Sequence, residues 1–319
     1  MDEFAFEQQL CAHLERTREA IIARQLGGGV TTNNRVLDTV IVEPGSTFDK
    51  RTRLTDAAIP QSILEADLGP GRFRDWRSLL GDGMAAERVV ERAHDIGYLE
   101  KEHRAGRELI RTIDRYPTDW FDRIIAIENK PDLATPGDLY EQLRFDASLA
   151  LVDAVILATE SHVTRAHRNR LPEAVGIWRF DPPTETLEVV EEPSRLPVHE
   201  PGIEVLDQHP GRTDVASIDP EEKQRSRRQL AERAYGKGWR TFTMPTCRNF
   251  DPGDGVPYCS HFDEVVNPTT TCDPSCSGHR RGPPPAVDLD AIRDRNSPWV
   301  RDPPDERSRQ GHLTESWDD

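Results

Sequence analysis

The chain has 319 residues, of which 31% are charged and 35% belong to the hydrophobic set. Its 57 acidic residues outnumber its 41 lysine and arginine residues, which gives a formal net charge of −16. This composition excludes a membrane-embedded protein, a collagen-like chain and a globally basic nucleic-acid coat, but it allows a local basic surface.

The basic residues are nearly all arginine, because the chain has only five lysines: Lys50, Lys101, Lys130, Lys223 and Lys237. A surplus of carboxylates suits a halophilic protein, since about 1 M salt screens surface charges within roughly 3 Å. A GC-rich genome that encodes Arg in place of Lys explains the same bias. Under either interpretation the acidity reflects the solvent and not the substrate.

Targeting signals are not apparent in the sequence. The N-terminus has neither the basic nor the apolar region of a secretory peptide, and the longest apolar runs are as short as strands. Five cysteines without an export signal do not indicate a disulfide scaffold. We therefore expect a cytoplasmic protein that does not contact a membrane.

The first 45 residues predict a helix followed by a strand. Apolar residues recur at helical spacing over residues 4–22, a breaker-rich loop covers residues 27–34, and residues 35–42 form an apolar strand.

Residues 55–118 predict an inserted helical unit. A helix over residues 85–96, with Gly97 as its C-cap, precedes two short strands at residues 98–103 and 107–114. Helices followed by a hairpin are typical of a winged helix, a DNA-binding relative of the helix-turn-helix. A helical insertion that only packs is the alternative.

Residues 119–181 predict a strand–helix–strand unit. The strand at residues 121–130 is followed by a helix that starts near Thr135 and by a continuously apolar strand at residues 155–158. Such runs are typical of strands buried on both faces of a parallel sheet, and the crossover is expected to be right-handed. A further strand follows at residues 175–180.

The C-terminal part has a different composition. A basic helix is predicted over residues 219–235, and residues 281–319 have the composition of a disordered tail. The basic residues in and after this helix either contact phosphates or form a solvated face: Lys223, Arg225, Arg227, Arg228, Arg233, Lys237 and Arg240.

The triplet Glu128-Asn129-Lys130 directly follows a buried strand. In an extended chain, Glu128 and Lys130 point the same way. A carboxylate is a hard ligand for Mg²⁺, and an ammonium beside it can hold the attacking water and offset charge in a phosphoryl transition state. The pair therefore predicts metal-assisted phosphoryl chemistry.

A second carboxylate is needed, and Asp38 is the first candidate because it interrupts an otherwise apolar strand. A buried unpaired charge is costly, so a partner or a metal is expected there. Asp38 facing solvent on an edge strand is one alternative. Asp114, which lies 14 residues before Glu128, is another candidate for the same role.

These residues resemble the motif of the PD-(D/E)xK, or restriction-endonuclease-like, nuclease superfamily. By that resemblance, Glu7 matches the helix acid, Asp38 the first metal ligand, Glu128 the second, Lys130 the catalytic lysine and Gln142 the crossover-helix glutamine. The resemblance implies an α/β fold with a mixed sheet flanked by helices. It also implies a nuclease that uses Mg²⁺ or Mn²⁺ to cleave nucleic acid, with DNA expected. The chain also resembles an uncharacterised haloarchaeal conserved family.

The expected organisation has five parts. They are a nuclease-like core at 1–54 and 119–190, an insertion at 55–118, a linker and basic helix at 191–246, a cysteine-rich segment at 247–280 and a tail at 281–319. The insertion separates Asp38 from Glu128 by 90 positions, whereas the superfamily usually joins those two strands by a hairpin or short insert.

Four cysteines fall within 30 residues: Cys247, Cys259, Cys272 and Cys276. Four soft ligands in a segment with little core of its own predict a structural metal knuckle, with Zn²⁺ as the first choice. A 4Fe-4S cluster is the alternative, because some nucleases of the superfamily bracket the fold with cysteines, and Cys11 occupies such a place. Four unconnected buried thiols are the third possibility.

The sequence is compatible with two functions. The first is a metal-dependent phosphodiesterase acting on DNA, in repair or defence. The second is a nuclease-like fold that has become a nucleic-acid-binding or regulatory module. An intact Glu128 and Lys130 favour the enzyme, and a displaced Asp38 would favour the module.

Overall fold

The computed structural model describes residues 2–28, 35–52, 60, 62–63, 66–95, 98–113 and 117–298. It divides into two compact units, of which one contains the described residues of 2–44 and 122–298 and the other contains those of 45–121. In chain order the elements are α1 (Glu3–Thr17), β1 (Ile21–Gly27), β2 (Val36–Pro44), α2 (Phe48–Thr52), β3 (Arg74–Asp75), α3 (Trp76–Leu80), α4 (Met84–Asp95), β4 (Leu99–Arg104), β5 (Arg107–Thr112), β6 (Phe121–Asn129), α5 (Leu139–Leu149), β7 (Ala154–Thr159), α6 (Arg165–Arg168), β8 (Gly176–Asp181), β9 (Thr186–Glu191), β10 (Gly202–His209), β11 (Arg212–Ile218), α7 (Pro220–Lys237), β12 (Phe250–Asp251), β13 (Tyr258–Cys259), β14 (Glu264–Val265), α8 (Pro268–Thr271) and α9 (Leu289–Asn296).

The larger unit is built on a six-stranded mixed sheet with the order β1-β2-β6-β7-β8-β9. Strand β1 pairs with β2 antiparallel, β6, β7 and β8 are parallel, and β9 returns antiparallel to β8. The expectation of an α/β protein with a mixed sheet flanked by helices is confirmed.

The main core lies between α1 and this sheet. Phe6, Leu10 and Leu14 of α1 are fully buried against Ile125 and Ile156 of the central strands. The helix begins at a cap, because the Asp2 carboxylate accepts the backbone N–H of Ala5 at 2.6 Å.

The strand–helix–strand unit predicted from the sequence is present as β6, α5 and β7. Glu128 is aligned with Leu157 in the parallel register, and all six residues of β7 are buried. This burial explains the uninterrupted apolar run, since both faces of a central parallel strand are covered.

The first helix is shorter than its apolar pattern predicts. It ends at Thr17, and Arg18 is already extended, so Ile21 and Ile22 belong to β1. The spacing of these isoleucines continues the helical period and therefore predicts a longer helix. Their burial is that of a sheet strand instead.

The smaller unit has a sheet with the strand order β3-β5-β4, preceded and interrupted by helical segments. Helices α3 and α4 come before the β4–β5 hairpin, and Ala105 and Gly106 form its turn. The helices pack on this sheet through a small core that includes Trp76, Val90 and Ile110. The order of helices and hairpin is the one predicted for a winged helix.

The segment predicted as a linker contains a β10–β11 hairpin and the long helix α7. The described part of the predicted tail contains α9, which buries Ile292 and is capped by Asp288. In the described part of the chain, no helix has the length and apolarity needed to cross a membrane.

Candidate active site

Asp38 and Glu128 lie on strands β2 and β6, which are neighbours in the sheet. The Asp38 Oδ2 atom accepts the backbone N–H of Asn129 at 3.0 Å, which ties the Asp38 carboxylate to the residue after Glu128. Folding therefore brings together two carboxylates that are 90 positions apart in the sequence.

Both carboxyl groups are costly to ionise in the fold. Burial raises the pKa of Asp38 to about 6, and the nearby Glu7 carboxylate acts in the same direction. Burial first, and then the charge of Asp38, raise the pKa of Glu128 to about 8. The guanidinium of Arg35 opposes both shifts without cancelling them.

Gln25 connects the first helix to Asp38. It lies opposite Asp38, between the register pairs Arg24↔Thr39 and Leu26↔Leu37. Its Nε2 atom lies 3.2 Å from Glu7 Oε1 and 3.4 Å from Asp38 Oδ1. Its φ of 53° is in the left-handed region, which is uncommon for a non-glycine residue and often marks a functional position.

Glu7 is 3% exposed and reaches this group from α1. Its Oε2 atom forms an ion pair with Arg24 at 2.8 Å, in addition to the Gln25 contact. The helix acid proposed from the sequence thus lies one hydrogen-bonded residue away from Asp38.

Arg35 is the cation that contacts Glu128. Its Nη2 atom lies 2.5 Å from Glu128 Oε2 and 2.8 Å from Asp146 Oδ2, and its Nε atom donates to Asp146 Oδ1 at 3.0 Å. Asp146 comes from α5 and is itself 5% exposed, with a pKa raised by burial. Arg35 therefore bridges β6 and the crossover helix.

Lys130 is the first residue after β6, and its Nζ atom lies 3.5 Å from Glu3 Oε2. The ammonium is about one quarter exposed, so solvent reaches it. Lys130 lies one residue after β6 and two residues after Glu128, so both residues are at the same end of the sheet.

Gln142 is half-buried on α5, one helical turn before Asp146. Within the described residues the Gln142 side chain forms no hydrogen bond. The α5 residue that contacts Arg35, the ion-pair partner of Glu128, is Asp146. Asp114, the alternative first ligand, lies outside the described residues.

Sequence reasoning did not identify Gln25, Arg35 or Asp146 as part of this group. The signal for Asp146 was weak: an acidic residue next to the apolar stripe of an amphipathic helix. Arg35 is one of many arginines, and it stands just before the strand that carries Asp38.

The donor set of this group suits a hard divalent cation. Asp38 and Glu128 supply carboxylate oxygens, which Mg²⁺ and Mn²⁺ prefer, and Mg²⁺ usually binds through one or two carboxylates while it keeps several waters. Burial first, and then the neighbouring carboxylates, raise the pKa values of both groups, and Arg35 offsets these shifts only in part.

The four C-terminal cysteines belong to one region of the larger unit. Cys247 and Cys259 are buried in a small core that also contacts Cys272. The Cys247 Sγ atom accepts the backbone N–H of Arg280 at 3.5 Å. Burial, followed by the neighbouring thiols of Cys259, Cys247 and Cys276, raises the pKa of Cys272 to about 11.

Cys11 lies in a different place. It is fully buried in the core between α1 and the sheet, with its Sγ atom 3.6 Å from Thr39 Oγ1. Burial raises the pKa of this thiol strongly. Such a thiol packs as a small apolar group.

Across the residues that the structure describes, no three or more His, Cys, Asp or Glu side chains are arranged to hold a metal ion together. For the Asp38–Glu128 pair, water and substrate oxygens would complete the coordination. For the cysteines, the thiols would have to lose their protons and rotate toward one another.

Comparisons with known proteins give a family but no activity. No curated protein matches the chain, and no solved structure matches it. One family model, described as a family of unknown function (DUF5787), matches residues 21–281, which include both the acidic group on β2 and β6 and the four cysteines. The chain belongs to this family of unknown function, DUF5787.

Proposed function

We propose that the protein is a metal-dependent phosphodiesterase that cleaves nucleic acid, with DNA as the substrate, and that it is a divergent nuclease of the PD-(D/E)xK type. The observation that carries the proposal is the pair of carboxylates on adjacent strands, the half-buried Asp38 and the buried Glu128, with Lys130 directly after the second strand.

The order of the elements supports the same proposal. An acidic helix, two antiparallel strands, a third strand ending in Glu128-Asn129 and followed by Lys130, a crossover helix and a parallel strand follow one another as in the superfamily pattern. The intervening unit of residues 45–121 does not prevent β2 and β6 from lying side by side. Asp38 is therefore not displaced from Glu128.

In this proposal each side chain has a distinct role. Asp38 and Glu128 hold Mg²⁺, which when bound supplies Lewis-acid stabilisation of the phosphoryl oxygens and a water of lowered pKa. Lys130 orients the attacking water and offsets the charge that develops on the phosphate. Gln25 and Glu7 fix the orientation of the Asp38 carboxylate through the contacts described above.

The test is a cleavage assay on single- and double-stranded DNA and RNA, with Mg²⁺, Mn²⁺, Ca²⁺ or EDTA, in high-salt buffer. Wild-type protein is expected to cleave DNA with Mg²⁺ or Mn²⁺ and to be inactive in EDTA. Glu128→Gln should remove this cleavage and keep the fold, which circular dichroism checks. Cleavage by Glu128→Gln at the wild-type rate would refute the proposal.

A catalytically inactive nucleic-acid-binding module is the second candidate. Of the three residues proposed for catalysis (Asp38, Glu128 and Lys130), two already form ion pairs: Glu128 contacts Arg35, and Lys130 contacts Glu3. These ion pairs favour the second candidate. Metal-independent DNA binding without cleavage under any of the conditions above would support this alternative.

We also propose that the four C-terminal cysteines bind one structural Zn²⁺. They share one small region, and Cys247 already accepts a backbone N–H, a contact typical of the outer shell of metal sites. The few apolar residues of this segment cannot by themselves offset an ordering cost of about 1–2 kcal/mol per residue. The rival 4Fe-4S cluster has less support, because Cys11 is packed in the core between α1 and the sheet.

Metal analysis of the full-length protein tests this site independently of catalysis. Wild type and the control Cys11→Ala should each carry about one zinc per chain. Cys272→Ser should lose the zinc and melt at a lower temperature. Iron with acid-labile sulfide would establish the cluster instead, and protein purified without any metal would contradict both.

A further inference from the structure

Arg35 is bound by two different carboxylates, and the two contacts are unequal. Asp146 receives two N–H groups, at 3.0 Å from Nε and at 2.8 Å from Nη2. Glu128 receives one, from Nη2. The guanidinium also donates a hydrogen bond from Nη1 to the backbone oxygen of Val36 at 2.7 Å.

The two-point contact holds the guanidinium plane, whereas the single contact can be exchanged without moving it. Bidentate arginine–carboxylate pairs are geometrically defined and strong. Asp146 is also 5% exposed, so its charge would be costly to leave without Arg35. By contrast, Glu128 would lose only one hydrogen bond if another cation took its carboxylate.

We infer that Arg35 is an exchangeable counter-ion of the metal site, held permanently by Asp146 and displaced from Glu128 when Mg²⁺ binds. The inference rests on the proposed function, because it assigns Glu128 to the metal. It makes Arg35 a positioning residue of the metal-free site.

Displacement of Arg35 from Glu128 would free one N–H group of Arg35 to donate to another acceptor. An Nη2 hydrogen released from Glu128 would remain beside the metal because Asp146 still holds the guanidinium. Arginine is well suited to phosphate oxygens. The acceptor that replaces Glu128 would then be an oxygen of the substrate phosphate.

The test is the affinity for Mg²⁺, measured by calorimetry on the full-length protein at about pH 9, above the raised pKa values of the pair. Removal of the competing cation in Arg35→Met is expected to strengthen Mg²⁺ binding by about tenfold, which is 1.4 kcal/mol. In Asp146→Asn, where Arg35 loses its permanent partner and competes fully for Glu128, binding should weaken. Arg144→Met is the matched control, because Arg144 is an exposed arginine of the same helix.

The opposite signs of the two effects separate this role from a purely structural one. If Arg35 only stabilises the fold, both Arg35→Met and Asp146→Asn should weaken Mg²⁺ binding. Unchanged or weaker binding by Arg35→Met, with normal binding by wild type, would overturn the inference alone. Failure of wild type to bind Mg²⁺ would contradict the proposed function itself.

If Arg35→Met does not fold, the double variant Arg35→Met/Asp146→Leu removes both partners of the buried pair and keeps the net charge. It should also bind Mg²⁺ more tightly than wild type, and weaker binding would contradict the inference. The contact between Arg35 and the substrate phosphate is tested separately. Any folded variant that lacks Arg35 should have a raised KM for DNA.

Discussion

At the scale of single residues, the site is defined by charge that the fold concentrates and only partly balances. Asp38, Glu128 and Asp146 all have pKa values raised by burial, and Arg35 contacts two of the three. A fold that keeps such groups gives up stability, which is the usual sign of a functional requirement.

The first prediction concerns pH and Glu128. The ordinary pKa of this carboxyl is 4.5, and in the fold it is raised to about 8. Below pH 4.5 the carboxyl is protonated in both states and costs nothing. Between pH 4.5 and 8 the unfolded state loses the proton first, so the stability of the metal-free protein falls as pH rises.

Glu128→Gln cannot lose a proton and should therefore show a shallower fall. We expect the free energy of unfolding to drop between pH 5 and pH 8 by a few kcal/mol more in wild type than in the variant. Urea titrations in EDTA measure both drops. Parallel pH profiles for the two proteins would show that Glu128 is not the titrating group.

The second prediction concerns Lys130. Because its ammonium is placed to offset transition-state charge, Lys130→Ala should lower the cleavage rate by on the order of a hundredfold with little change in melting temperature. Lys101→Ala is the control, since Lys101 pairs with Glu91 and Glu108 in the smaller unit. Equal rates for Lys130→Ala and wild type would exclude Lys130 from the reaction.

How much of the site the sequence predicts depends on the kind of signal. A carboxylate inside an apolar strand, as at Asp38, is visible because burial of an unpaired charge is costly. The partner that balances a charge is not visible, because any of the arginines can reach it once the chain folds. Arg35 and Asp146 therefore emerge only from the structure.

At the scale of elements, helix α7 also shows that the sequence does not reveal which partners its charged side chains have. Its run of basic residues left open a phosphate-binding face or a solvated one, but two of them are turned into the protein. Lys223 is 1% exposed and donates to the backbone oxygens of Pro197 and Glu200. Arg227 is 2% exposed and contacts Asp153 Oδ2 at 2.7 Å and the backbone oxygen of Leu151 at 2.8 Å.

The third prediction follows from that buried pair. Arg227→Leu removes the buried cation 2.7 Å from Asp153 and leaves this carboxylate the more distant and exposed Arg195, at 3.9 Å, which should lower the free energy of unfolding by about 3 kcal/mol. Arg225→Leu, an exposed arginine on the same helix, should change it by less than about 0.5 kcal/mol. Chemical denaturation of both variants measures the difference, and equal effects would show that the buried ion pair is not what Arg227 contributes.

The smaller unit illustrates the difference between a fold and a binding surface. The exposed residues from Asp82 to Asp95 include four carboxylates and two arginines: Asp82, Glu87, Arg88, Glu91, Arg92 and Asp95. DNA-binding helices gain affinity from cations that neutralise phosphates. An acidic α4 therefore gives no support to DNA recognition by this helix.

The sequence predicts the apolar central strands, but it does not predict β1 or the more polar strands β9, β10 and β11. The strands β2, β6 and β7 were visible as apolar runs, and the hairpin β4–β5 from its glycine turn. Strand β1 was missed because Ile21 and Ile22 continue the helical spacing of α1. Hydrophobic periodicity alone cannot separate a helix from a short buried strand that follows it directly.

At the scale of the whole molecule, the net charge of −16 makes the stability of the fold depend on the salt concentration. Self-repulsion opposes the compact state, and salt reduces it because the screening length falls from about 10 Å at 0.1 M to about 3 Å at 1 M.

The fourth prediction is that the melting temperature rises by roughly 10 °C between about 0.1 M and 1 M KCl. Glycine betaine at equal osmolality is the control, since it does not screen charge and should stabilise less. A melting temperature that does not depend on KCl would favour the GC-rich genome as the reason for the composition.

The central claim is that Asp38 and Glu128 together hold a divalent cation. Diffraction from crystals soaked in Mn²⁺, recorded at an energy where manganese scatters anomalously, locates that ion directly. One anomalous peak is expected at about 2.1 Å from oxygens of both carboxylates, with Arg35 still bound to Asp146 and no longer to Glu128. A crystal saturated with Mn²⁺ and lacking a peak between these two side chains would contradict it.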